Sequence, residues 1–353
     1  MSQVIKGRGA TNNPDNRYSA FSREDIDDGW DSPPSQAPAV KTTLTVDSAR
    51  SAISYNQSPD VPFDRAVNPY RGCEHGCIYC YARPSHAWLG HSPGLDFESQ
   101  LYFKPDIAGL LRRELAARSY QCAPIALGSN TDCYQPVERK LRLTRQVLEL
   151  LAACHHPAQI LTKSSLVERD IDLLAEMAQR QCVQVMISIT TLDPKLSRVL
   201  EPRAASPNRR LQTISALATA GVPVGVLLAP VIPVLTDHEI EAILQQARQA
   251  GATSARWIML RLPREVAPLF NDWLETHRPL QASRVLARVR DTRGGELYDA
   301  DFKQRMSGSG EYASLLAQRF SVAYKRCGLS APLPLSTVDF RPPTADHRQM
   351  SLL

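Results

Sequence analysis

The chain has 353 residues, of which 43% are hydrophobic and 22% are charged, so it can bury a full core and does not have the composition of a disordered protein. Its formal net charge is +5, which is compatible with an anionic partner such as nucleic acid. No dense run of Lys and Arg interleaved with aromatic residues occurs, so the sequence does not by itself predict nucleic-acid binding. The longest apolar run, residues 221–235, is short and contains three prolines, and residues 1–13 lack the apolar core of a signal peptide. The sequence therefore predicts a cytoplasmic protein without a membrane segment.

The first 60 residues differ in composition from the rest of the chain. They are rich in Asn, Asp, Ser and Pro and show little apolar periodicity, which is typical of disordered segments. We therefore expect a disordered N-terminal arm over residues 1–60, a folded core over residues 61–276 and a helical C-terminal extension over residues 277–353.

Short β-like runs alternate with amphipathic helical runs through the core, a pattern that predicts a parallel sheet of βα units. Six strands are expected, at residues 64–70, 124–128, 158–162, 183–189, 222–229 and 255–260. Right-handed crossovers would curl six parallel strands into a partial barrel instead of the closed eight-stranded form. The predicted fold class is therefore α/β, a partial (β/α)6 barrel.

Three of the eight cysteines, Cys73, Cys77 and Cys80, lie within eight residues at the spacing C-x3-C-x2-C. Gly72 and Gly76 relax the backbone of this short loop, so that three thiolates can point at one site. Thiolates are the usual protein ligands of iron–sulfur clusters, and three of them leave one iron of a four-iron cluster without a protein ligand. An open coordination position is characteristic of a reactive metal centre.

A zinc site formed by the same three cysteines with His75 or His86 is the alternative interpretation. Zinc modules usually contain a second close cysteine pair, whereas the other cysteines lie singly, at positions 122, 133, 154, 182 and 327. A disulfide framework is disfavoured by the same spacing and by the lack of an export signal.

With Tyr79 directly before the last cysteine, this loop resembles the signature of the radical S-adenosylmethionine (radical SAM) superfamily. The resemblance implies that Cys73, Cys77 and Cys80 hold a 4Fe-4S cluster and that S-adenosyl-L-methionine (SAM) chelates the fourth iron. It also implies that an external electron donor, a flavodoxin- or ferredoxin-like protein, drives cleavage of SAM to a 5′-deoxyadenosyl radical. Superfamily members have an open six-unit barrel, in agreement with the strand count.

A narrower resemblance rests on the runs at residues 68–73, 131–138 and 190–193. They resemble the branch related to spore photoproduct lyase (DNA repair photolyase-like proteins), which implies a DNA lesion as the substrate and a cysteine near the end of the second strand as a hydrogen-atom donor. Cys133 is the candidate for that catalytic role, although the expected position falls near Ser129. The alternative is that Cys133 is a small buried core residue.

Polar residues at the predicted strand ends are the other site candidates, because these ends face one mouth of a parallel barrel. Ser129 and Asp132 follow the second strand, where the superfamily often has a Gly-Gly-Glu motif that holds the methionine amino group. Ser188 and Thr190 end the fourth strand, and Arg203 is a candidate to bind the cofactor carboxylate. Ordinary polar turns and strand-end hydroxyls are the alternatives, and the pair Arg209-Arg210 has the pattern of surface charge.

The sequence as a whole predicts a radical SAM enzyme, with radical chemistry of the lyase or oxidoreductase type on an unknown substrate. A non-catalytic iron–sulfur or zinc module that binds nucleic acid is the alternative function.

Overall fold

The computed structural model describes residues 5–19 and 40–343. The strands in these residues are β1 (Thr43–Val46), β2 (Ile53–Tyr55), β3 (Arg65–Val67), β4 (Tyr70–Arg71), β5 (Gln100–Phe103), β6 (Ile125–Leu127), β7 (Ala158–Thr162), β8 (Val183–Ser188), β9 (Val224–Val231) and β10 (Ser254–Met259). The α-helices are α1 (Asp96–Ser99), α2 (Ile107–Leu115), α3 (Glu138–Leu141), α4 (Leu143–Ala153), α5 (Ile171–Gln179), α6 (Pro194–Leu200), α7 (Pro207–Thr219), α8 (Ile240–Gln249), α9 (Val266–His277), α10 (Pro279–Asp291) and α11 (Gly310–Arg326).

Seven strands form one sheet in the order β10-β9-β8-β7-β6-β3-β2. Each neighbouring pair from β10 to β3 is parallel, and β2 runs antiparallel to β3 at the edge. The six parallel strands β3 and β6 to β10 are the six that the sequence predicts, joined by crossovers that contain helices. The partial (β/α)6 barrel is therefore confirmed.

The central strands are buried because helices cover one face and the barrel interior covers the other. All six residues of β8 are buried, and β9 carries the near-continuous apolar run that is typical of strands covered on both faces. Val147, Leu148 and Leu151 of α4 pack into the same core at helical spacing. Helix positions thus follow the apolar periodicity of the sequence.

Two helices, α10 and α11, follow residue 277, while the segments between and after them are irregular and the predicted extension runs on beyond the described residues. Helix α11 packs against α8, where Arg319 donates two hydrogen bonds to Glu241, at 2.8 and 2.7 Å. Among the described residues, no helix is both long and apolar enough to cross a membrane.

The prediction of a disordered arm is corrected for residues 5–19 and 40–60, while residues 1–4 and 20–39 lie outside the described residues. Strand β1 pairs in parallel with β5 in a small sheet ordered β1-β5-β4, and β2 extends the barrel sheet. The backbone N–H groups of Ala52 and Ile53 donate to the carboxylate of Glu114 on α2, at 2.8 and 2.9 Å. These strands have three or four residues each, too few for apolar periodicity to reveal.

Residues 5–12, named here the N-terminal strap, are held by the buried carboxylate of Glu98 at the C-terminal end of α1. The N–H groups of Gly9 and Ala10 each donate to it at 2.9 Å, and Arg83 donates to it at 2.5 Å. Arg8 in turn donates to the carbonyl of Glu98 at 2.5 Å. Because a buried carboxylate without partners is costly, the strap and Glu98 depend on each other.

The strap also contacts the cysteine loop, residues 71–81. A Cβ atom at Gly9 would lie 1.8 Å from the carbonyl oxygen of Gly76, so only glycine allows this approach. Arg83, which binds the carboxylate of Glu98, also binds the cysteine loop, because its Nε atom donates to the carbonyl of Cys77 at 3.0 Å. The N-terminal strap therefore forms part of the wall that shapes the cysteine loop.

We expect Gly9→Ala to destabilise the protein by about 1 to 3 kcal/mol, because the added methyl group must displace either the strap or the cysteine loop. Thermal denaturation of the metal-free protein measures the effect. Lys6→Ala is the matched control, since Lys6 lies in the same strap but is exposed. Equal melting temperatures for the two variants would show that the contact with Gly76 does not constrain the loop.

Candidate active site

A cavity of about 830 Å³ lies at the carboxyl ends of the parallel strands. Cys73, Cys77 and Cys80 are in its wall, so the cysteine loop faces the barrel interior as predicted. Inward-facing residues of the strands form part of this surface, among them Ala66, Ala126, Leu161, Met186, Ser188, Leu227, Ala229 and Arg256, and loop residues complete it. The three cysteines therefore share one open cavity with the strand ends.

The shape of the cysteine loop depends on its two glycines and on backbone hydrogen bonds. Gly72 and Gly76 have φ values of +76° and +67°, a region that other residues seldom adopt. The N–H of Cys73 donates to Phe97 at 2.9 Å, and the N–H of Ile78 donates to Leu200 at 3.1 Å. Both carbonyls belong to other segments, which fix the loop at each end.

Residues 131–138, one of the runs behind the narrower family resemblance, clamp this loop from the other side. Thr131 donates to the carbonyl of Tyr70 at 2.9 Å. Buried Gln135 accepts from the N–H of Glu74 at 2.8 Å and donates to the carbonyl of Gly72 at 3.1 Å. The run thus satisfies backbone groups that the irregular loop leaves unpaired.

Asp132, a predicted cofactor ligand, lines the cavity, but its acceptor positions are occupied. One oxygen accepts from Thr162 at 2.7 Å and from the N–H of Tyr134 at 2.8 Å. The other accepts from the N–H of Lys163 at 2.8 Å and lies 3.2 Å from Nδ1 of His75. Burial alone would raise the pKa of Asp132, but His75 and these donors hold it below its usual value. Asp132 joins the cysteine loop to the end of β7 and has no acceptor left for a ligand.

The donor set fits an iron–sulfur cluster better than a single metal ion. Burial raises the pKa of Cys73, Cys77 and Cys80, so thiolates here need a cationic metal beside them. Within residues 5–19 and 40–343, no three His, Cys, Asp or Glu side chains are arranged to hold one ion. Of the proposed zinc ligands, His75 is engaged by Asp132 and His86 has its Nε2 atom 2.9 Å from the carbonyl oxygen of Gln100. Three thiols without a fourth protein ligand match the donor set of a four-iron cluster with one open iron.

A buried network behind the cysteine loop centres on Glu201, which the sequence analysis did not identify as a site residue. Its carboxylate accepts from Thr190 at 2.6 Å and also from Tyr79 and Arg210, and Lys163 lies 3.6 Å away. Burial raises the pKa of Glu201, but Arg210, Lys163 and these hydrogen bonds outweigh it and lower the pKa to about 2. The carboxylate therefore stays ionised and anchors the aromatic residue that precedes Cys80.

Lys163, at the end of β7, connects this network to the cavity. Its ammonium group donates to Ser188 at 2.5 Å and to the carbonyl of Ala229 at 3.0 Å, and its side chain lines the cavity. The sequence analysis did not select this residue as a site candidate. Its position one residue after a predicted strand was the available signal.

The structure brings together some of the predicted site residues and separates others. Ser129, Asp132 and Ser188 line the cavity. Thr190 is buried behind it in the Glu201 network, and Arg203 forms a 2.8 Å ion pair with Glu74 instead of reaching the cavity. The two separated residues are therefore poorly placed to contact SAM.

Cys133 is also outside the cavity wall. Its side chain is fully buried in the hydrophobic core, and its carbonyl accepts a 2.5 Å hydrogen bond from Thr144. A Cβ atom at Gly128 would lie 3.4 Å from its sulfur, so the thiol packs beneath the turn after β6. These surroundings favour the core-packing interpretation of Cys133 over the donor role.

The sequence pattern predicts surface charge at both Arg209 and Arg210, but only Arg209 is on the surface. The side chain of Arg209 is 41% exposed and pairs with Glu168 at 2.6 Å. The side chain of Arg210 is 1% exposed and forms a buried pair with Glu201. Helix α7 therefore carries one solvated arginine and one that neutralises the acid beneath the cysteine loop.

We expect Arg210→Met to destabilise the protein by about 3 to 5 kcal/mol, because it leaves the buried Glu201 carboxylate without its main counter-charge. The matched control, Arg209→Met, should cost less than about 1 kcal/mol, since its ion pair is exposed. Chemical denaturation of both variants gives the two free energies of unfolding. Similar values would contradict a buried role for the Arg210–Glu201 pair.

Three comparisons relate this chain to known proteins. The family model described as "Radical SAM superfamily" matches residues 67–247. An uncharacterized protein of Mycobacterium tuberculosis is 41% identical over 226 residues, which is 64% of this chain and 66% of that protein, just under two thirds of its length. An uncharacterized protein of Methanocaldococcus jannaschii is 28% identical over 191 residues, covering 54% of this chain and 68% of that protein.

Among solved structures, spore photoproduct lyase complexed with dinucleoside spore photoproduct has a TM-score of 0.55 at 16% identity, covering 81% of this chain and 80% of that chain. A variant of the same enzyme with bound AdoMet and dinucleoside spore photoproduct has a TM-score of 0.56, also at 16% identity and with the same coverage. At such identity the likeness shows a shared fold. The family model covers just over half of the chain, including the cysteine loop and the strand ends that face it, and on that match this protein belongs to the radical SAM superfamily.

Proposed function

We propose that this protein is an enzyme in which Cys73, Cys77 and Cys80 hold a 4Fe-4S cluster whose fourth iron binds SAM. When bound, these cofactors would supply a 5′-deoxyadenosyl radical by reductive cleavage of SAM. The observation that carries the proposal is the placement of the three cysteines in the wall of the barrel cavity, with Asp132, Glu201 and His75 committed to other partners. An open iron position then remains available to a ligand.

The chain's own contribution is to position and enclose the cofactors. The N-terminal strap and residues 131–138 fix the cysteine loop, and the barrel wall excludes water from the space in front of it. Lys163 and Ser188 are the polar side chains that we expect to bind the methionine carboxylate of SAM, because they line the cavity beside Tyr79. Asp132 would act indirectly, by holding His75 and the start of the Lys163 segment.

A DNA lesion is the first substrate to test, because the structural neighbours include spore photoproduct lyase with a dinucleoside spore photoproduct. A flavodoxin- or ferredoxin-like protein is the proposed electron donor. The decisive experiment needs neither substrate nor donor protein. After anaerobic reconstitution, dithionite and SAM should yield 5′-deoxyadenosine.

We expect about four irons, with matching sulfide, in each reconstituted chain. Cys73→Ala, Cys77→Ala and Cys80→Ala should each lose the visible charge-transfer absorption and the formation of 5′-deoxyadenosine. Cys122→Ala is the matched control, because Cys122 is half-buried and lies outside the cavity. Stoichiometric zinc without sulfide in the wild-type protein would instead support the non-catalytic alternative.

We expect Cys133→Ala to keep the cluster and form 5′-deoxyadenosine at the wild-type rate, while losing about 1 kcal/mol of stability as a small core residue. Melting temperature and 5′-deoxyadenosine formation are measured on the same preparation. An unchanged melting temperature, together with 5′-deoxyadenosine formation that is no longer coupled to product formation once a substrate is known, would instead support the hydrogen-donor role that the family resemblance implies.

A further inference from the structure

The cavity has an excess of positive charge that its own acids do not balance. Its lining includes two carboxylates, Asp60 and Asp132, and five cationic side chains: Lys163, Arg256, Arg261, Arg264 and Arg305. Arg305 is bound by Asp60 at 2.5 and 2.6 Å. Asp132 is committed to His75, and Lys163 is paired with Glu201.

The side chains of three of these arginines, Arg256, Arg261 and Arg264, have no ion pair or hydrogen bond to any described residue, although that of Arg264 is exposed to solvent. Arg261 is half-buried, and its guanidinium lies over the ring of Tyr81 at 4.7 Å. Burial lowers the pKa of Arg261, and the nearby charge of Arg305 lowers it further. Withdrawing a guanidinium from water without an acid partner costs free energy, which a bound anion would recover.

Arg256 occupies the same cavity from the barrel sheet. It lies on β10 in register with Leu227 of β9, and both residues line the cavity. Arg264 approaches from the segment after β10, in a left-handed conformation with φ of +51°. Arginines from the edge strand of the sheet and from the segment that follows it therefore face one space.

The proposed cofactors do not account for these charges. The thiolates of the cysteine loop would bind iron cations, the proposed function assigns the carboxylate of SAM to Lys163 and Ser188, and the sulfonium group of SAM is a cation that arginines repel. Aromatic residues, among them Tyr55, Phe63 and Tyr81, also line the cavity and offer a surface for a planar group. The unmatched groups thus suit a ligand that combines an anion with a ring.

We propose that Arg256, Arg261 and Arg264 form an oxyanion subsite, and that the substrate carries a phosphate or carboxylate group which these arginines bind. Guanidinium groups recognise both oxyanions through paired N–H donors. The inference rests on the proposed function only in placing the substrate in this cavity, because anion binding itself requires no radical chemistry.

Anaerobic calorimetry on the cluster-loaded protein at saturating SAM tests the subsite with matched probes. UMP should bind at least tenfold more tightly than uridine, and Arg261→Gln and Arg256→Gln should each reduce UMP affinity at least tenfold without changing the weak binding of uridine. Arg261→Lys should lose less UMP affinity than Arg261→Gln, because lysine keeps the positive charge although it lacks the planar pair of N–H donors. Arg139→Gln, which changes an exposed arginine outside the cavity, is the control and should match the wild type.

Succinate and inorganic phosphate distinguish the two sources of the oxyanion, since a carboxylate subsite should prefer the first and a phosphate subsite the second. Wild-type protein that binds none of the anions in preference to uridine would overturn the proposal, as would full UMP affinity in Arg261→Gln. Loss of SAM binding in Arg261→Gln, with UMP affinity intact, would assign the arginine to the cofactor and also overturn it. Circular dichroism identifies a variant that fails to fold, in which case Arg256→Gln carries the test.

The outcome is separable from that of the proposed function. Wild-type protein that has four irons and forms 5′-deoxyadenosine, but shows no anion preference, would contradict the subsite alone. Protein that contains no cluster, yet binds UMP through Arg261, would contradict the radical SAM function and leave the subsite standing.

Discussion

The buried carboxylate of Glu98 is the interaction on which the shape of the cysteine loop depends. The loop has no regular secondary structure, so its backbone groups must find partners in other segments. Glu98 gathers two N–H groups of the N-terminal strap and the guanidinium of Arg83, and Arg83 then binds the carbonyl of Cys77. Removing any one partner would leave a buried charge or donor unpaired, so segments far apart in sequence are coupled through this single acid.

A second acid plays the same part on the inner side of the loop. Glu201 holds Tyr79 and is neutralised by Arg210 from α7, while Asp132 holds His75. The cysteine loop is thereby fixed between three buried carboxylates, none of which points freely into the cavity. Such a frame orients the thiols in advance, which would lower the ordering cost of binding the proposed cluster.

Much of the fold and the central feature of the site could be predicted from sequence because both are local patterns. The apolar, β-branched composition of runs such as Val183–Ser188 predicts buried strands. The spacing of Cys73, Cys77 and Cys80 is itself the signature of the superfamily. What could not be predicted depends on distant pairing. Nothing near Arg210 in sequence distinguishes it from its exposed neighbour Arg209, since its partner is Glu201 across a turn. The order of the N-terminal strap could not be predicted from its sequence, because it comes from contacts with Glu98, about 90 residues away, and not from apolar residues in the strap itself.

The contrast between satisfied and unsatisfied charges separates structural from functional polar groups in this barrel. Arg83 and Arg210 are buried more deeply than Arg261, yet each has a carboxylate partner and is explained by the fold alone. Arg261 is partly withdrawn from water beside Tyr81, the residue after Cys80, and no acid among the described residues binds it. Beyond the contact with the tyrosine ring, folding gains little from that arrangement, because a half-buried cation without an acid partner weakens the native state. A site that tolerates this cost is best understood as one whose missing partner arrives with the substrate.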